Sequence, residues 1–285
     1  MTRGKLAELR EHYHQSLFED LVRIQSGRPN NADKSSKSSV QISRGVIERI
    51  GLEVKTGAVS GQAKGSLFEA ATRAFLRQSF EALEHLRPGL WHFSVGGNIW
   101  DFEQYRHLRD IKEVVDENRE LQTVFGDYIV RPDIVVSRSP LADDEVNEAA
   151  VLLAPDDIGV ADRTPLREAN ADDEPVRILH ASVSCKWTIR SDRSQNARTE
   201  GLNLIRNRKG KTPHIVAVTG EPLPSRIASL AFGTGDIDCV YHFALAELLA
   251  ATKAEGNETD GDLLETMVRG SRLRDISDLP FDLIT

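Results

Sequence analysis

Three side chains of this sequence are of types that suit phosphoester chemistry. They are Asp133 in YIVRPDIVVS, Lys186 in HASVSCKW, and Glu200, fourteen positions beyond the lysine. Hydrolysing a phosphodiester needs an activated water, neutralisation of developing charge and stabilisation of the leaving oxygen. Carboxylates are hard oxygen ligands that hold Mg²⁺ without stripping all its waters. A lysine beside such an ion can orient or deprotonate the attacking water and balance charge in the transition state. Singly, each residue has a plainer reading. A proline breaks a strand's hydrogen-bond ladder, so Pro132-Asp133 can be no more than a strand end. A lysine closing an apolar strand commonly snorkels to solvent, and a glutamate on a charged helix is ordinarily solvated. The sharper reading needs a fold that brings the three together.

The elements that must position them are legible in outline. In an extended HASVSCK segment, Ser182, Ser184 and Lys186 share one face while Val183 and Cys185 point the other way. Apolar runs at 128–136, 178–187 and His214–Thr219 predict strands of one central sheet, with 237–241 a candidate fourth. A polar, basic helix over about 194–207 lies between the second and third. Strands alternating with helices predict an α/β or α+β fold with a mixed sheet. Upstream, Leu6, Leu9, Leu17, Leu21 and Ile24 recur at helical spacing, and 41–50 predicts a second helix. Ser66 is a candidate cap for a longer helix with Phe68, Phe75, Leu76, Phe80 and Leu83 along one side. Trp91–Val95 alternates like a strand, and 102–122 is again helical. Polar, turn-rich GRPNNADKSSKSS (27–39) predicts a loop that is flexible or ordered by a partner. We expect one domain over 1–285, with an acidic insertion near 141–177.

The 285 residues carry a net charge of −8 and 40% hydrophobic side chains, enough for a sizeable core. Charge distribution says more than the sum. Eleven acidic residues face two arginines over 141–176, whereas eight Lys or Arg face only Asp192 and Glu200 over 186–211. Two cysteines, Cys185 and Cys239, exclude a disulfide framework. No apolar run approaches the roughly 18 residues that span a bilayer, and the N-terminus lacks the apolar stretch of a signal peptide. These features predict a cytoplasmic protein.

Directly after Lys186 comes WTIRSDRSQN. Arginine pairs with the O6 and N7 acceptors of guanine, and aspartate accepts from the N4 amino group of cytosine. Arg190, Asp192 and Arg193 therefore suit reading G·C pairs in a major groove; the plainer reading is a salt-bridge cluster at a helix start.

Longer strings carry a resemblance. HASVSCKWTIRSDRSQNARTEGLNLIRNRKG (180–210), EPLPSRIASLAFGTGDIDCVYHFAL (221–245) and RLRDISDLPFDL (272–283) closely resemble the NgoMIV-type type II restriction endonucleases. These form part of the CCGG-cutting branch of the PD-(D/E)xK nucleases. NNADKS (30–35), GQAKGSLFEA (61–70) and RPDIVVSR (131–138) extend the likeness, which is weakest over 143–177. The resemblance implies Asp133 as the central metal ligand and Ser184-Cys185-Lys186 in place of the usual acid-x-Lys motif. Ser184 then stands where most of the superfamily has a carboxylate, and Glu200 supplies that acid from the following helix. The backbone carbonyl of Cys185 is implied as a further ligand, and Glu69 as another acid near the metal.

The same resemblance makes Arg190, Asp192 and Arg193 readers of the CCGG core, Asp33 and Arg226 readers of the outer base pair, and Gln62 a minor-groove contact. Ser35 joins the DNA-binding set. It implies Mg²⁺, two ions per site, cleaving double-stranded GCCGGC before the first C to leave a four-nucleotide 5′ overhang. A palindrome calls for a two-fold symmetric protein, and the resemblance implies a homotetramer of two dimers binding two DNA sites. Two alternatives stand beside this reading. One is a different PD-(D/E)xK nuclease acting in repair or junction resolution; the other is a DNA-binding protein on an inactive nuclease fold.

Overall fold

Apolar residues that meet both faces of a pleat become central strands, and those that recur at helical spacing cover them. This computed structural model describes residues 3–125, 130–171, 174–232 and 235–285, and the side chains of 122, 124, 125 and 191–194 lie outside that description. The chain opens with helix α1 (Lys5–Asp20), a hairpin of β1 (Ile24–Gln25) and β2 (Arg28–Pro29), then α2 (Lys37–Ile50) and α3 (Gly61–Leu83). Strand β3 (Trp91–Val95), helices α4 (Leu108–Glu117) and α5 (Arg119–Phe125), β4 (Ile134–Arg138) and the one-turn α6 (Asp143–Val146) follow. The second half alternates: β5 (Ile178–Lys186), α7 (Ser191–Asn207), β6 (His214–Thr219), α8 (Pro224–Ala231) and β7 (Cys239–His242). It ends with α9 (Leu245–Glu255), α10 (Glu258–Arg269), β8 (Leu273–Asp275) and α11 (Leu279–Leu283).

The strands β3 to β8 lie in chain order in one six-stranded sheet. β3, β4 and β5 pair antiparallel; β5 to β8 pair parallel through helical crossovers. The mixed sheet expected from the sequence is therefore present. Side chains alternate between two apolar layers as the pleat requires. Ile134, Val136, Val183 and Cys185 join the larger core with Phe68, Phe75 and Phe80 of α3. Val135, Leu179 and Ile215 join a smaller one on the opposite face with Tyr105 and with Leu204 of α7. α3 and α7 thus approach the sheet from opposite sides, which decides where their glutamates arrive.

Several boundaries depart from expectation for physical reasons. α3 starts at Gly61, because the Ser60 hydroxyl accepts from Ala63 N–H at 3.2 Å and caps it, leaving Ser66 inside the helix. α1 stops at Asp20, and Ile24 enters the hairpin. α2 begins four residues early under a Ser36 cap, inside the expected loop. The helix expected over 102–122 breaks at Asn118, whose carboxamide oxygen accepts from the N–H groups of Glu120 and Leu121. β4 starts only at Ile134, since Pro132 cannot donate to a ladder; Tyr128 and Ile129 lie outside the described residues. β8, three residues long, went unforeseen. Among the described residues, 141–177 carries only α6 and one 3₁₀ turn and leaves Val151, Leu152 and Ile158 exposed.

Candidate active site and DNA-facing cleft

The candidate centre exists because two neighbouring strands end at different levels. β4 pairs with β5 no further than Ile134 opposite Val183. β5 runs on through Ser184, Cys185 and Lys186, supported on its other edge by Ala217, Val218 and Thr219 of β6. Asp133 occupies the gap, its backbone carbonyl accepting from Gly96 N–H at 2.9 Å. The Asp133 carboxylate oxygen Oδ2 accepts from Cys185 N–H at 2.7 Å, Lys186 Nζ at 2.6 Å and Ser184 Oγ at 3.4 Å. Within a strand, the N–H and C=O of one residue face the same neighbour. Since Cys185 N–H meets Asp133, its carbonyl opens on that same edge, where β4 has ended. The Lys186 carbonyl faces the other way and accepts from Gly220 N–H at 3.3 Å and the Thr219 hydroxyl at 2.7 Å.

The electrostatics follow from crowding. Burial pulls the Lys186 ammonium down, but the charge and hydrogen bond of Asp133, with Glu200 behind, outweigh it and hold the lysine above its ordinary value. Glu200, on α7, is pushed up by burial and by the Asp133 charge, against the pull of Lys186. Glu69, on α3, is pushed up by burial and then by Asp133. Three carboxyls, one just before β4 and one each on α3 and α7, therefore converge on one ammonium, and two of them pay for it with a raised affinity for protons. The Cys185 thiol is buried in the core below and is driven well up by that burial, so only its backbone faces the site.

A hard dication fits this donor set. Asp133, Glu200 and the Cys185 carbonyl offer oxygen alone, and a cation would relieve the like-charge crowding that raises the glutamates. Among the described residues, no three His, Cys, Asp or Glu side chains are drawn together tightly enough to hold a metal unaided. The set would hold a dication only with the backbone carbonyl and waters as further ligands. Ser184 Oγ, aimed at Asp133, stands where another carboxylate would add to the crowding.

Two cavities meet at the Asp133–Lys186 pair. One, of about 400 Å³, is lined by Glu69, Arg131, Pro132 and Asp133. The other, of about 990 Å³, is lined by Lys186, Arg190, Arg198, Asp33, Lys64 and Arg226 among others. The larger cleft gathers three of the residues singled out for base reading, Asp33, Arg190 and Arg226. Arg190 is exposed at its edge. Arg226 pairs with Asp33, whose carboxylate is held below its ordinary value by the Ser35 hydroxyl and N–H, and further by Arg226. Gln62 is exposed on the first turn of α3, beside the lining residues Gly61 and Lys64. Asp192 and Arg193 sit in the first turn of α7, and their side chains lie outside the described residues.

Other residues of this cleft escaped sequence reasoning. Asn31 donates to Gly220 O at 2.7 Å and accepts from Ser43 Oγ at 2.6 Å, tying the loop of Asp33 to the sheet. Arg198 is steered into the cleft by Asp236, 3.0 Å away and buried. Glu221 is fully buried beneath Arg226. Polar residues in turns carry no sequence signal of burial.

A carboxylate–lysine centre that opens on a cation-lined groove is the equipment of a DNA-cutting enzyme, and relatives of the chain are of that class. The family model described as NgoMIV restriction enzyme matches residues 13–285. The type II restriction enzyme NgoMIV of Neisseria gonorrhoeae is 45% identical over 282 residues, covering 96% of this chain and 96% of its own. The chain belongs to the NgoMIV restriction enzyme family, and is accordingly a type II restriction endonuclease, a site-specific deoxyribonuclease. A crystal structure of the type IIF restriction endonuclease Bse634I with cognate DNA aligns over 96% of this chain and 92% of that one, at 15% identity and a TM-score of 0.37. Among the described residues no helix is long and apolar enough to cross a membrane.

Proposed function

We propose that this endonuclease uses a divalent metal, Mg²⁺, to cut both strands of GCCGGC before the first C, leaving 5′-phosphate ends with a four-nucleotide 5′ overhang. The observation that carries the reading is the strand-end carboxylate: Asp133 bonded to Cys185 N–H and Lys186, at the junction of the two cavities. Asp133, Glu200 and the Cys185 carbonyl would hold the metal, with Glu69 beside them; two ions per site is the number the family resemblance implies. When bound, Mg²⁺ polarises the scissile phosphate and acidifies its water. Lys186, kept protonated by Asp133, places its ammonium against charge that develops on the phosphate. Ser184 Oγ helps orient Asp133.

Specificity comes from the larger cleft. Arg190, Asp192 and Arg193 read the inner CCGG pairs by guanine and cytosine edges. Arg226 and ionised Asp33, side by side, match the acceptor–donor pattern of one further G·C pair, with Ser35 holding the aspartate. Gln62 contacts the minor groove. Cutting a palindrome symmetrically needs two copies related by a two-fold axis, so the working unit is a homodimer at least, and a homotetramer of two dimers on two DNA sites. It acts in the cytoplasm, where a cognate methyltransferase protects the host genome. Sequencing the ends of a Mg²⁺ digest tests the specificity, with the mass in solution measured alongside. Cuts at G^CCGGC are expected; discrete cuts elsewhere would overturn the roles of Asp33 and Arg226.

A further inference from the structure

Glu221 has no part in the chemistry above, yet it is tied to two arms of the cleft at once. It lies in the turn between β6 and α8 and is fully buried. Its Oε2 accepts from Ile189 N–H at 2.8 Å, the residue next to Arg190. Its Oε1 accepts from Leu223 N–H at 3.2 Å, at the start of the helix that carries Arg226. Arg226 Nη1 lies 3.9 Å from Oε2 while Nη2 reaches Asp33. The backbone of Glu221 is anchored as well: its N–H donates to Thr219 Oγ1 at 3.1 Å, and that hydroxyl donates to the Lys186 carbonyl at 2.7 Å.

We propose that Glu221 is a positioning residue for specificity: it locks the arm of Arg190 and the arm of Arg226 in one register with the strand end of Lys186. This rests on those two arginines reading base pairs. A helix cap alone would use one carboxylate oxygen; here the second oxygen goes to a different arm, and the link to Lys186 runs through Thr219. Burial pushes the carboxyl up to about 7, against the pull of Ile189 N–H, Arg226 and Leu223 N–H. A carboxylate kept dry at that cost contributes geometry more than stability. An arm displaced by a wrong base pair therefore moves the turn that supports Lys186, so misreading also weakens cutting.

The test is Glu221→Gln, which keeps the shape but has one acceptor oxygen. Its amide NH₂ must face one of the two N–H donors, which frees one arm. The wild type's own site is first mapped from a random-sequence duplex library. Cleavage rates in Mg²⁺ are then compared on that site and on duplexes with single base pairs altered. A site other than GCCGGC sinks the specificity reading above without touching this comparison, since the ratio is taken on whatever the wild type cuts. The variant is expected to lose about tenfold or more in cognate-to-altered ratio, a large part of one mismatch penalty, with its melting temperature kept within a few degrees. An unchanged ratio, or an equal loss on every duplex, would overturn the proposal. Hydrogen exchange on the DNA-free wild type gives a check independent of the variant's folding: Ile189 and Leu223 amides should exchange slowly, and free-loop rates at either would contradict the lock.

Discussion

Two charged clusters bury themselves against the same sheet and treat their acids in opposite ways. At the edge of β8, Arg10 of α1 forms paired hydrogen bonds with Glu247 at 2.7 and 3.0 Å and with Asp275 at 2.9 Å to each oxygen. Burial works to raise both carboxyls, but Arg10, helped at Asp275 by Ser277, overcomes it and holds both below their ordinary values. At the end of β5, Lys186 serves Asp133 with one short bond, and Glu69 and Glu200 are left raised. One cluster is compensated by a planar, bidentate cation. The other holds more acid than its lysine can balance. That surplus distinguishes a site made for a dication from a structural ion pair, though both are buried and both contain a cation and carboxylates.

The contrast breaks most visibly on activity. Lys186→Ala is expected to slow Mg²⁺ cleavage by about 10²–10⁴-fold while specific binding in Ca²⁺ survives; loss of folding in circular dichroism would make the lysine structural instead. Arg10→Ala attacks the compensated cluster and leaves two half-buried carboxylates without their cation, Asp275 keeping only its neutral donors Ser277 and Leu245 N–H. It is expected to cost about 3–5 kcal/mol in urea unfolding, and a cost under about 1 kcal/mol would undo the comparison. The smallest effect has the opposite sign. A carboxyl whose folded value is raised contributes stability below its unfolded value, near pH 4, and loses it as pH rises through the raised value. Ionised Glu200 therefore opposes folding at pH 7.5, and Glu200→Gln should melt at the same temperature or a few degrees higher in the absence of metal. Asp275→Asn, by the same rule, should melt lower. A Glu200→Gln variant that melted well below the wild type would show its carboxyl to be compensated after all.

The parts legible in the sequence were those governed by local periodicity. β3 and β6 fall where their alternation and apolar runs put them, and β5 ends one residue early, at Lys186, because Trp187 turns into the core beside Phe68 and Phe243. The grouping of Ser184 and Lys186 on one face followed from the pleat alone. What brings Asp133 to them did not: it depends on β4 ending short of β5, a matter of register between segments about 50 residues apart. The Arg10 cluster and Glu221 were invisible for a related reason. Arg10, Glu247, Asp275 and Glu221 sit in segments whose charge reads as solvated, and only long-range packing dries them. β8 is too short for any periodicity. Resemblance to a family supplied candidate roles for Glu69, Asp33 and Gln62 that no local pattern suggests.

The central claim is that the surplus-acid cluster at Asp133 is where DNA is cut. Single-turnover cleavage in Mg²⁺ by Asp133→Asn, with melting temperature and Ca²⁺-dependent specific binding measured on the same sample, tests it most directly. A folded variant that binds its site and cuts it at least about a thousandfold more slowly is expected. A folded variant that cuts within a few fold of the wild type would place the catalytic centre elsewhere.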